Sequence, residues 1–380
     1  MLVSFTSCNE KTDSVPEGSA AVSSSNGSEI VIGEVGSLTG TEATFGTSTR
    51  DGIDLAIKQI NAAGGIKGKK MRVIVIDDQG KSEEAATAVT KLITQDKVSA
   101  ILGEVGSTRS LAMAPIAQGH HVPMITPSST AVEVTQKGDF IFRVCFIDPF
   151  QGWAMAQFAA KTLKVKKAAI LRDVKSDYSV GLANIFTEIF KKLGGEIVMD
   201  QSYSGGDADF KSQLTSIKTK NPDVIYVPGY YTEVGLIARQ TRELGIKAPL
   251  IGGDGWDSAK LTEIGGPALD GSFFSNHYTP DDKSAIVQKF ITDFKKDFNQ
   301  VPDGLAAMGY DAAIVLADAM KRAKSLSGDD IRSALAETKD YQAVTGKITI
   351  DKNRDASKAA VVIEIKGGKF VLKETINPPK

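Results

Sequence analysis

The stretch VSAILGEVGST, residues 98–108, joins an apolar, strand-like run to a turn rich in glycine and hydroxyl groups. The same arrangement recurs at residues 122–130, where VPMI leads into TPSST, and segments with helix-forming residues follow both turns. Such a strand–turn–helix unit leaves backbone N–H groups unpaired at the helix start, beside side-chain hydroxyls. In an open α/β sheet, ligands bind at the carboxyl ends of strands. The two turns therefore predict a neutral, hydroxyl-lined cradle for a small anion such as a carboxylate.

Alternating strand-like and helix-like segments begin at Ile30 and predict a parallel α/β architecture. Predicted strands lie at 30–35, 71–76, 98–102, 122–125 and 140–146 in a first block, and at 168–171, 196–199, 224–227 and 250–252 in a second. Predicted helices lie at 48–62, 83–95, 151–163, 180–193, 210–218 and 233–244. Helices at 284–298, 305–323 and 328–337 and strands at 347–350, 360–365 and 369–372 end the chain. This change from alternating strands and helices to a run of helices suggests that the chain returns to complete the first block.

The length and composition of the chain argue against several classes of protein. A chain of 380 residues exceeds one ordinary hydrophobic core, so we expect two lobes. The 45 basic and 46 acidic residues give a formal net charge of −1, which argues against a nucleic-acid-binding face. No apolar run reaches the ~18–20 residues of a membrane span.

The N-terminal segment, residues 1–29, is interpreted as a signal remnant followed by a flexible tether. Cys8 follows a short apolar stretch that ends in small residues, which resembles the end of a lipoprotein signal peptide. Phe5 replaces the usual leucine, and no basic segment precedes it. We expect Cys8 to carry a lipid, whereas Cys145, in a strand-like segment, is expected to be a buried free thiol. The polar residues between 9 and 29 cannot bury enough surface to offset the entropy of ordering.

Seven short motifs occur in a characteristic order. They are GSLTG at 36–40, INAAGGI at 60–66, DD at 77–78, GEVGSTRS at 103–110, PSST at 127–130, GYY at 229–231 and GDGW at 253–256. Each motif alone is a weak signal. Together, in this order and spacing, they closely resemble the solute-binding proteins of branched-chain amino acid ABC importers, from about Ile30 to the end of the chain.

The resemblance implies an α/β, two-lobed type I periplasmic-binding-protein fold, in which each lobe is a parallel sheet flanked by helices. It places residues 30–147 and 277–353 in the N-terminal lobe and residues 148–276 and 354–380 in the C-terminal lobe. Three crossover hinge strands are expected near 147–148, 275–277 and 351–355.

The same resemblance implies a binding protein without cofactor, metal, nucleic-acid partner or catalytic residues. It would be a monomer that captures a free L-amino acid, most simply a branched-chain one, and delivers it to an ABC transporter permease. Its location would be periplasmic or otherwise extracytoplasmic, with the membrane contacted only through a lipid on Cys8.

Carried over position by position, the family's ligand site falls on residues of both lobes. The α-carboxylate of the ligand would contact Ser107, with its backbone N–H, and Thr130. The α-ammonium would contact Asp254, assisted by the Ser128 carbonyl and the Thr130 hydroxyl. The other candidate contacts are the closing tyrosines Tyr178 and Tyr230, together with Phe45, Val105, Gly106 and Trp256.

Three positions depart from the family pattern. Asp254 stands where well-known members have glutamate, so its side chain is one methylene shorter. Phe45 replaces a common tyrosine and Leu305 a common phenylalanine, which keeps the pocket wall apolar but changes its volume. A cysteine pair that bridges two loops in some members is also missing, without consequence for the binding chemistry.

The candidate residues also have ordinary structural interpretations. Ser107 and Thr130 could cap helices, and Asp254, in a glycine-rich turn, could be a turn former. The family order favours the ligand role, which is compatible with capping. A buried carboxylate requires a cation, which would explain selectivity for zwitterions.

The aromatic and charged neighbours of these motifs are less certain. Tyr230 and Tyr231 are adjacent at a strand end, so they should point in opposite directions, and the family position selects Tyr230 for the cleft. Trp153, like Trp256, is a candidate both for contact with the ligand and for packing in the core. Glu104 and Arg109 flank the first turn and are expected to be solvated.

Other functions stay open. An enzyme is disfavoured because His120, His121 and His277 show no nucleophile–base or metal-ligand spacing. A ligand-sensing module of the same fold is disfavoured because the sequence shows no DNA-binding helix pair or membrane span. Transport of an amide, a polyol or an aromatic acid is a third alternative. Asp254 discriminates these ligands, because one without an ammonium group offers it no partner.

Overall fold

The computed structural model describes residues 29–379, which form two α/β halves that we call the N-terminal lobe and the C-terminal lobe. Within these residues, no helix is both long enough and apolar enough to cross a bilayer. The prediction that Cys8 is lipidated lies outside the described residues.

The N-terminal lobe is built on a five-stranded sheet. Its strands are β1 (Glu29–Gly36), β2 (Lys70–Asp77), β3 (Ile101–Gly103), β4 (Met124–Thr126) and β5 (Ile141–Arg143). They lie in the order β2-β1-β3-β4-β5, and every pairing is parallel, which confirms the prediction for this sheet. The helices between them are α1 (Ala43–Ala62), α2 (Ser82–Thr94), α3 (Ser107–Gly119) and α4 (Glu133–Gln136).

The C-terminal lobe begins with α5 (Asp148–Gln157), which continues as a wider π-helical turn to Thr162. Five strands follow, β6 (Lys167–Asp173), β7 (Glu196–Tyr203), β8 (Val224–Tyr226), β9 (Leu250–Gly252) and β10 (Phe273–Asn276). The helices of this block are α6 (Asp177–Lys192), α7 (Lys211–Lys218), α8 (Tyr231–Glu243) and α9 (Ala259–Gly265). A 3-10 turn, Asp254–Trp256, follows β9 and carries the GDGW motif.

The chain then returns to the N-terminal lobe, as the change of character near residue 284 suggested. Both α10 (Ala285–Phe298) and α11 (Gly304–Arg322) pack against α1, and α12 (Gly328–Ala336) packs on α11. A short hairpin of β11 (Tyr341–Ala343) and β12 (Gly346–Ile348) follows. The sequence analysis predicted β12 but missed β11.

The sheet of the C-terminal lobe is mixed, which corrects the expectation of a parallel sheet. Its last strands are β13 (Ala360–Lys366) and β14 (Lys369–Ile376), and its order is β14-β13-β10-β9-β8-β6-β7. Strand β13 is antiparallel to β10 because it enters this lobe from the side at which β10 leaves it. Strand β14 runs back along β13 because Gly367 and Gly368, both with positive φ, form a two-residue hairpin turn.

Three connections pass between the lobes, at residues 144–147, 277–284 and 349–359. The predicted domain boundaries, after residues 147, 276 and 353, fall in or at the ends of these connections and stay a prediction. Arg143 and Asp355 form a buried ion pair, with 2.6 Å between Nε and Oδ1. This pair joins the end of β5, where the first connection begins, to the third connection.

Candidate functional site

The two hydroxyl-rich turns lie side by side in the N-terminal lobe. Strands β3 and β4 pair with Leu102 opposite Ile125, so the turns that follow them meet at one edge of the sheet. The hydroxyls of Ser110 and Ser129 are 2.7 Å apart. The Ser129 hydroxyl also donates to the backbone carbonyl of Val105, at 3.0 Å. The structure therefore brings the two turns into one cradle.

Ser107 and Thr130 occupy different positions in this cradle. Ser107 is the first residue of α3, and its hydroxyl accepts a hydrogen bond from the Ala131 N–H at 3.2 Å. The N–H groups of the first turn of α3 have no partner within the helix. Thr130 does not cap a helix, because α4 is a single turn that begins at Glu133. Thr130 is fully buried, and its side chain lies beside the buried Asp148 carboxylate.

The expectation that Glu104 and Arg109 are solvated is wrong. Glu104 is completely buried and Arg109 is 5% exposed. The Arg109 guanidinium lies 2.9 Å from a Glu104 oxygen and 2.6 Å from a Glu42 oxygen. Glu104 also accepts hydrogen bonds from the Gly106 N–H, at 2.5 Å, and from the Ser37 hydroxyl, at 3.0 Å. Glu104 is buried because the backbone N–H groups of the turn need an acceptor inside the protein, and Arg109 balances its charge.

A small cavity lies between the lobes, next to this cradle. We call it the cleft cavity; it is lined by Phe45, Val105, Ser107, Ser128, Tyr178, Tyr230, Asp254, Gly255 and Leu305. Its volume is about 20 Å³, which is room for one water molecule. Seven of the ten candidate ligand residues therefore meet at one place. Gly255 was not foreseen, although it belongs to the GDGW motif.

Three candidates do not line the cleft cavity. Gly106 and Thr130 lie in the two turns that form its N-terminal wall. Trp256 is fully buried, and its indole N–H donates to the Val227 carbonyl at 2.9 Å. Trp256 packs in the hydrophobic core of the C-terminal lobe. Trp153 stacks on Phe150, with 6.0 Å between the ring centroids.

Asp254 supplies the carboxylate on the opposite side of the cleft cavity and is 5% exposed. One of its oxygens accepts the Tyr178 hydroxyl at 2.9 Å, and the other lies 2.8 Å from Nε2 of His277. Burial lowers the pKa of His277, against the opposing effect of Asp254, which favours a neutral ring that donates its Nε2–H to the carboxylate. Among the described residues, the Asp254 charge thus meets neutral donors and no lysine or arginine.

Sequence reasoning missed His277 as part of the site. The signal available was its position directly after the short strand β10, whose sequence is FFSN, because ligand-site residues collect at strand ends. In the structure His277 begins the second connection, and its ring stacks on Phe146 of the first connection with 3.7 Å between centroids.

The two neighbouring tyrosines have separate places. Tyr230 and Tyr231 follow a loop and not a strand, because β8 ends at Tyr226 and α8 begins at Tyr231. Tyr230 stacks on Tyr178 with 5.4 Å between centroids and meets Phe45 edge-on. Tyr231 lies where the two lobes touch, and its hydroxyl accepts from the backbone N–H of Thr44 at 3.3 Å. The structure therefore places Tyr230 at the cavity, as the family position indicated.

The lobes touch each other around the cleft cavity. The hydroxyls of Thr44 and Ser258 are 2.9 Å apart, and the Asp177 N–H donates to the Thr108 hydroxyl at 3.0 Å. Each contact joins a residue of one lobe to a residue of the other, so the described arrangement is closed. Within residues 29–379, no group of three or more His, Cys, Asp or Glu side chains is placed to hold a metal ion.

Comparison with known proteins agrees with this geometry. Residues 29–369 match the sequence profile of a family described as periplasmic binding protein. The chain is 30% identical to the Leu/Ile/Val-binding protein BraC3 of Rhizobium johnstonii over 91% of this chain and 94% of that protein. The leucine binding protein LivK from Thermotoga maritima superposes with a TM-score of 0.89 at 41% identity, covering 92% of this chain and 99% of that one. LivJ from Streptococcus pneumoniae, solved with isoleucine, gives a TM-score of 0.88 at 36% identity, covering 92% and 100%.

Proposed function

The chain belongs to the periplasmic binding protein family, and we propose that it captures a free L-amino acid with a branched aliphatic side chain between its lobes and delivers it to an ABC transporter permease. One observation carries the proposal. The carboxylate of Asp254 has no lysine or arginine beside it among residues 29–379, and it lines the same mostly apolar cavity as Ser107 at the start of α3.

The N-terminal wall suits the α-carboxylate of the ligand. The start of α3 carries the partial positive charge of a helix dipole and backbone N–H groups without helical partners. Ser107 adds a hydroxyl at this point, and the buried Thr130 hydroxyl is proposed as a further contact. A carboxylate held here needs no lysine or arginine, because the dipole and the N–H groups stabilise the charge.

The C-terminal wall suits the α-ammonium group. A carboxylate can accept about four hydrogen bonds, so Asp254 retains capacity beyond its bonds to Tyr178 and His277. Those two neutral donors orient the carboxylate but leave its charge uncompensated. An ammonium group would balance that charge in a buried place, where an unpaired carboxylate is costly. The Ser128 carbonyl is proposed as a second acceptor for the same group.

The remaining walls suit an aliphatic side chain. Phe45, Val105 and Leu305 of the N-terminal lobe pack with core residues of the C-terminal lobe, and Tyr230 adds an aromatic face. Asp254 is the one charged residue that lines the cleft cavity. A branched hydrocarbon chain therefore fits better than a polar or charged one. The relatives named for leucine, isoleucine and valine support this choice.

Binding requires the lobes to move apart first. A cavity of about 20 Å³ does not hold an amino acid, so the contacts across the rim must open to admit one. An amino acid that contacts Ser107 on one lobe and Asp254 on the other favours closure, because it gains both sets of contacts only in the closed state. The closed shape, with no chemical step, is what the permease would recognise.

We further propose an extracytoplasmic monomer tethered by a lipid on Cys8. The family membership and the lipoprotein-like sequence before Cys8 support this location. Metabolic labelling with palmitate should mark the wild-type protein and leave Cys8→Ser unlabelled and released from the membrane fraction. Equal labelling of the two proteins would reject the lipid anchor.

A ligand screen tests the function directly. Leucine, isoleucine and valine should raise the melting temperature, because a ligand at 100 times its dissociation constant adds ~2.7 kcal/mol of stability. Calorimetry should then compare leucine with 4-methylpentanoic acid, which lacks the ammonium, and 3-methylbutylamine, which lacks the carboxylate. Both analogues should bind far more weakly than leucine. Equal binding of 4-methylpentanoic acid would remove the role of Asp254, and no response to any amino acid would reject the function.

A further inference from the structure

A second and larger cavity lies between the lobes. We call it the lateral cavity; its volume is about 610 Å³, and no residue lines both it and the cleft cavity. The N-terminal lobe contributes the start of α1 and residues around the start of α11. The C-terminal lobe contributes residues after the GDGW turn and the β13–β14 hairpin, and the second connection closes one side. This size is typical of pockets that bind small molecules.

Three carboxylates line the lateral cavity, and two of them are held by neutral donors. The Gly304 N–H donates to Asp257 at 2.6 Å, and the Ser48 hydroxyl donates to Asp303 at 2.7 Å. Asp257 is 3% exposed. Burial raises the pKa of Asp257, and the nearby Asp303 raises it further. Neither aspartate forms an ion pair with a lysine, arginine or histidine among the residues that the structure describes.

The other charged residues at the lateral cavity do not neutralise this pair. The third carboxylate, Asp51, lies 3.8 Å from the Arg50 guanidinium and accepts a hydrogen bond from the Gln300 amide at 3.3 Å. Lys369, in the C-terminal hairpin, is the one cationic side chain among the lining residues, and it is exposed. Three acidic side chains therefore face one solvated ammonium, and because burial raises the pKa of all three, a bound cation would favour their ionised forms.

Tyr278 gives independent evidence that the lateral cavity is built for a ligand. It belongs to the second connection, lines the cavity and is 4% exposed, yet its hydroxyl has no hydrogen-bond partner among the described residues. Burial raises the pKa of this hydroxyl, and the charges of Asp257 and Asp303 raise it further, so it lies near the same carboxylates. A buried hydroxyl without a partner costs free energy that a polar ligand group would recover.

We propose that the lateral cavity binds a small organic ammonium ion with a short apolar body. The ammonium would lie by Asp257 and Asp303, and the apolar body would lie against Phe294 and Phe370, which also line the cavity. A metal ion fits less well, because no described group of three or more acidic, histidine or cysteine side chains is placed to hold one. Both lobes would contact the occupant, which couples its binding to lobe closure.

Three matched probes test the proposal on the full chain. n-Butylamine is a cation at pH 7.5, 1-butanol is its neutral counterpart, and butyrate is its anionic counterpart. In an NMR titration of isotope-labelled protein, n-butylamine should shift the amides of residues 276–280 and 300–306 saturably. 1-Butanol should bind at least about tenfold more weakly, which is ~1.4 kcal/mol, and butyrate should not bind.

Two variants identify the carboxylates responsible. Asp257→Asn can still accept from Gly304, and Asp303→Asn keeps a good N-cap for α11, so both should fold. Each should weaken n-butylamine at least about tenfold, whereas Asp329→Asn, whose side chain is 76% exposed, should have no effect. Equal binding of the three probes, no saturable binding of n-butylamine, or unchanged binding in both variants would overturn the proposal.

A leucine titration of the same samples separates this site from the proposed function. Leucine affinity without n-butylamine should be similar in wild type and in Asp257→Asn, because Asp257 does not line the cleft cavity. Failure of leucine to bind wild type would reject the amino acid as ligand. The n-butylamine shifts would then still show whether the lateral cavity binds an ammonium ion.

Discussion

The Asp254 carboxylate and the His277 imidazole are joined by a 2.8 Å hydrogen bond between Oδ2 and Nε2. Asp254 follows β9 in the C-terminal lobe, and His277 begins the second connection between the lobes. The His277 ring in turn stacks on Phe146 of the first connection. Asp254, the proposed partner of the ligand's ammonium group, is therefore linked through His277 to two of the three connections about which the lobes would move.

Replacing Asp254 by asparagine should weaken leucine binding severely and leave the fold intact. Asparagine keeps the size of the side chain and can still accept from Tyr178, so the variant removes mainly the charge. Loss of one partner of a desolvated charge pair costs ~2–5 kcal/mol. Calorimetry measures the affinity, and thermal melting monitored by circular dichroism checks the fold. Asp329→Asn is the matched exposed control. Binding by Asp254→Asn within a factor of about three of wild type would show that the assignment is wrong.

Replacing His277 by phenylalanine should weaken leucine binding by ~1.5–3 kcal/mol, the usual net value of a hydrogen bond to a charged group. Phenylalanine can retain the stacking on Phe146 but cannot donate to Asp254. The weak binding of 4-methylpentanoic acid should not change, because this ligand has no ammonium group for Asp254 to hold. His120→Phe, at an exposed position, is the control. An equal loss for both ligands would mean that His277 acts on the fold and not on the ammonium site.

Glu34→Gln should stabilise the protein at pH 8 and have little effect near pH 5. Glu34 is 1% exposed, and burial, followed by the charge of Asp54, raises its pKa to about 8. The folded state therefore keeps a proton that the unfolded state releases near its ordinary pKa of 4.5. The stability due to this proton is fully present below pH 4.5 and is lost as the pH rises through 8. Urea unfolding at both values should show a gain of several kcal/mol at pH 8 and a much smaller one at pH 5, because each unit of pKa shift corresponds to ~1.4 kcal/mol.

The control for Glu34 is Glu84→Gln, at an exposed position of α2. It should change the free energy of unfolding little at either pH. A stability difference between Glu34→Gln and wild type that is the same at both pH values would contradict the raised pKa.

Leucine should reduce the radius of gyration measured by small-angle X-ray scattering. The closed arrangement, with Thr44 against Ser258 across the rim, leaves room in the cleft cavity for about one water molecule. The free protein must therefore sample a more open state to admit an amino acid, and bound leucine should shift the population back toward closure. The Asp254→Asn variant should show no change with the same leucine concentration. An identical wild-type profile with and without saturating leucine would argue for a preclosed site and against a clamp.

Much of the fold followed from local pattern. Apolar runs that alternate with helical periodicity predicted the five parallel strands of the N-terminal lobe. The direction of β13 could not be predicted in this way. It depends on where the chain re-enters the C-terminal lobe after α10 to α12, and that path is a property of the whole molecule. The short β11 was missed because it contributes three residues to an isolated hairpin.

The candidate site likewise has features that the sequence indicated and features that it did not. Ser107, Ser128 and Asp254 were assigned to the site through the resemblance of their motifs to the family, and each follows a strand, where ligand residues collect. The prediction for Glu104 and Arg109 failed because charged residues in a glycine-rich turn are ordinarily solvated. Their burial depends on Glu42, which a separate segment brings to them.

The motif positions that line the cleft cavity were assigned through the family resemblance. The sequence by itself determined the strand–turn–helix units and the two blocks of alternating strands and helices. These are local properties, set by the spacing of apolar residues and by turn chemistry. The tertiary structure alone decided that Asp254 is held by Tyr178 and His277, and that Asp257 and Asp303 share a second cavity. The reason is physical. The burial of a polar group and the identity of its partner are set by which distant segments pack around it, and one-dimensional spacing carries no record of that packing.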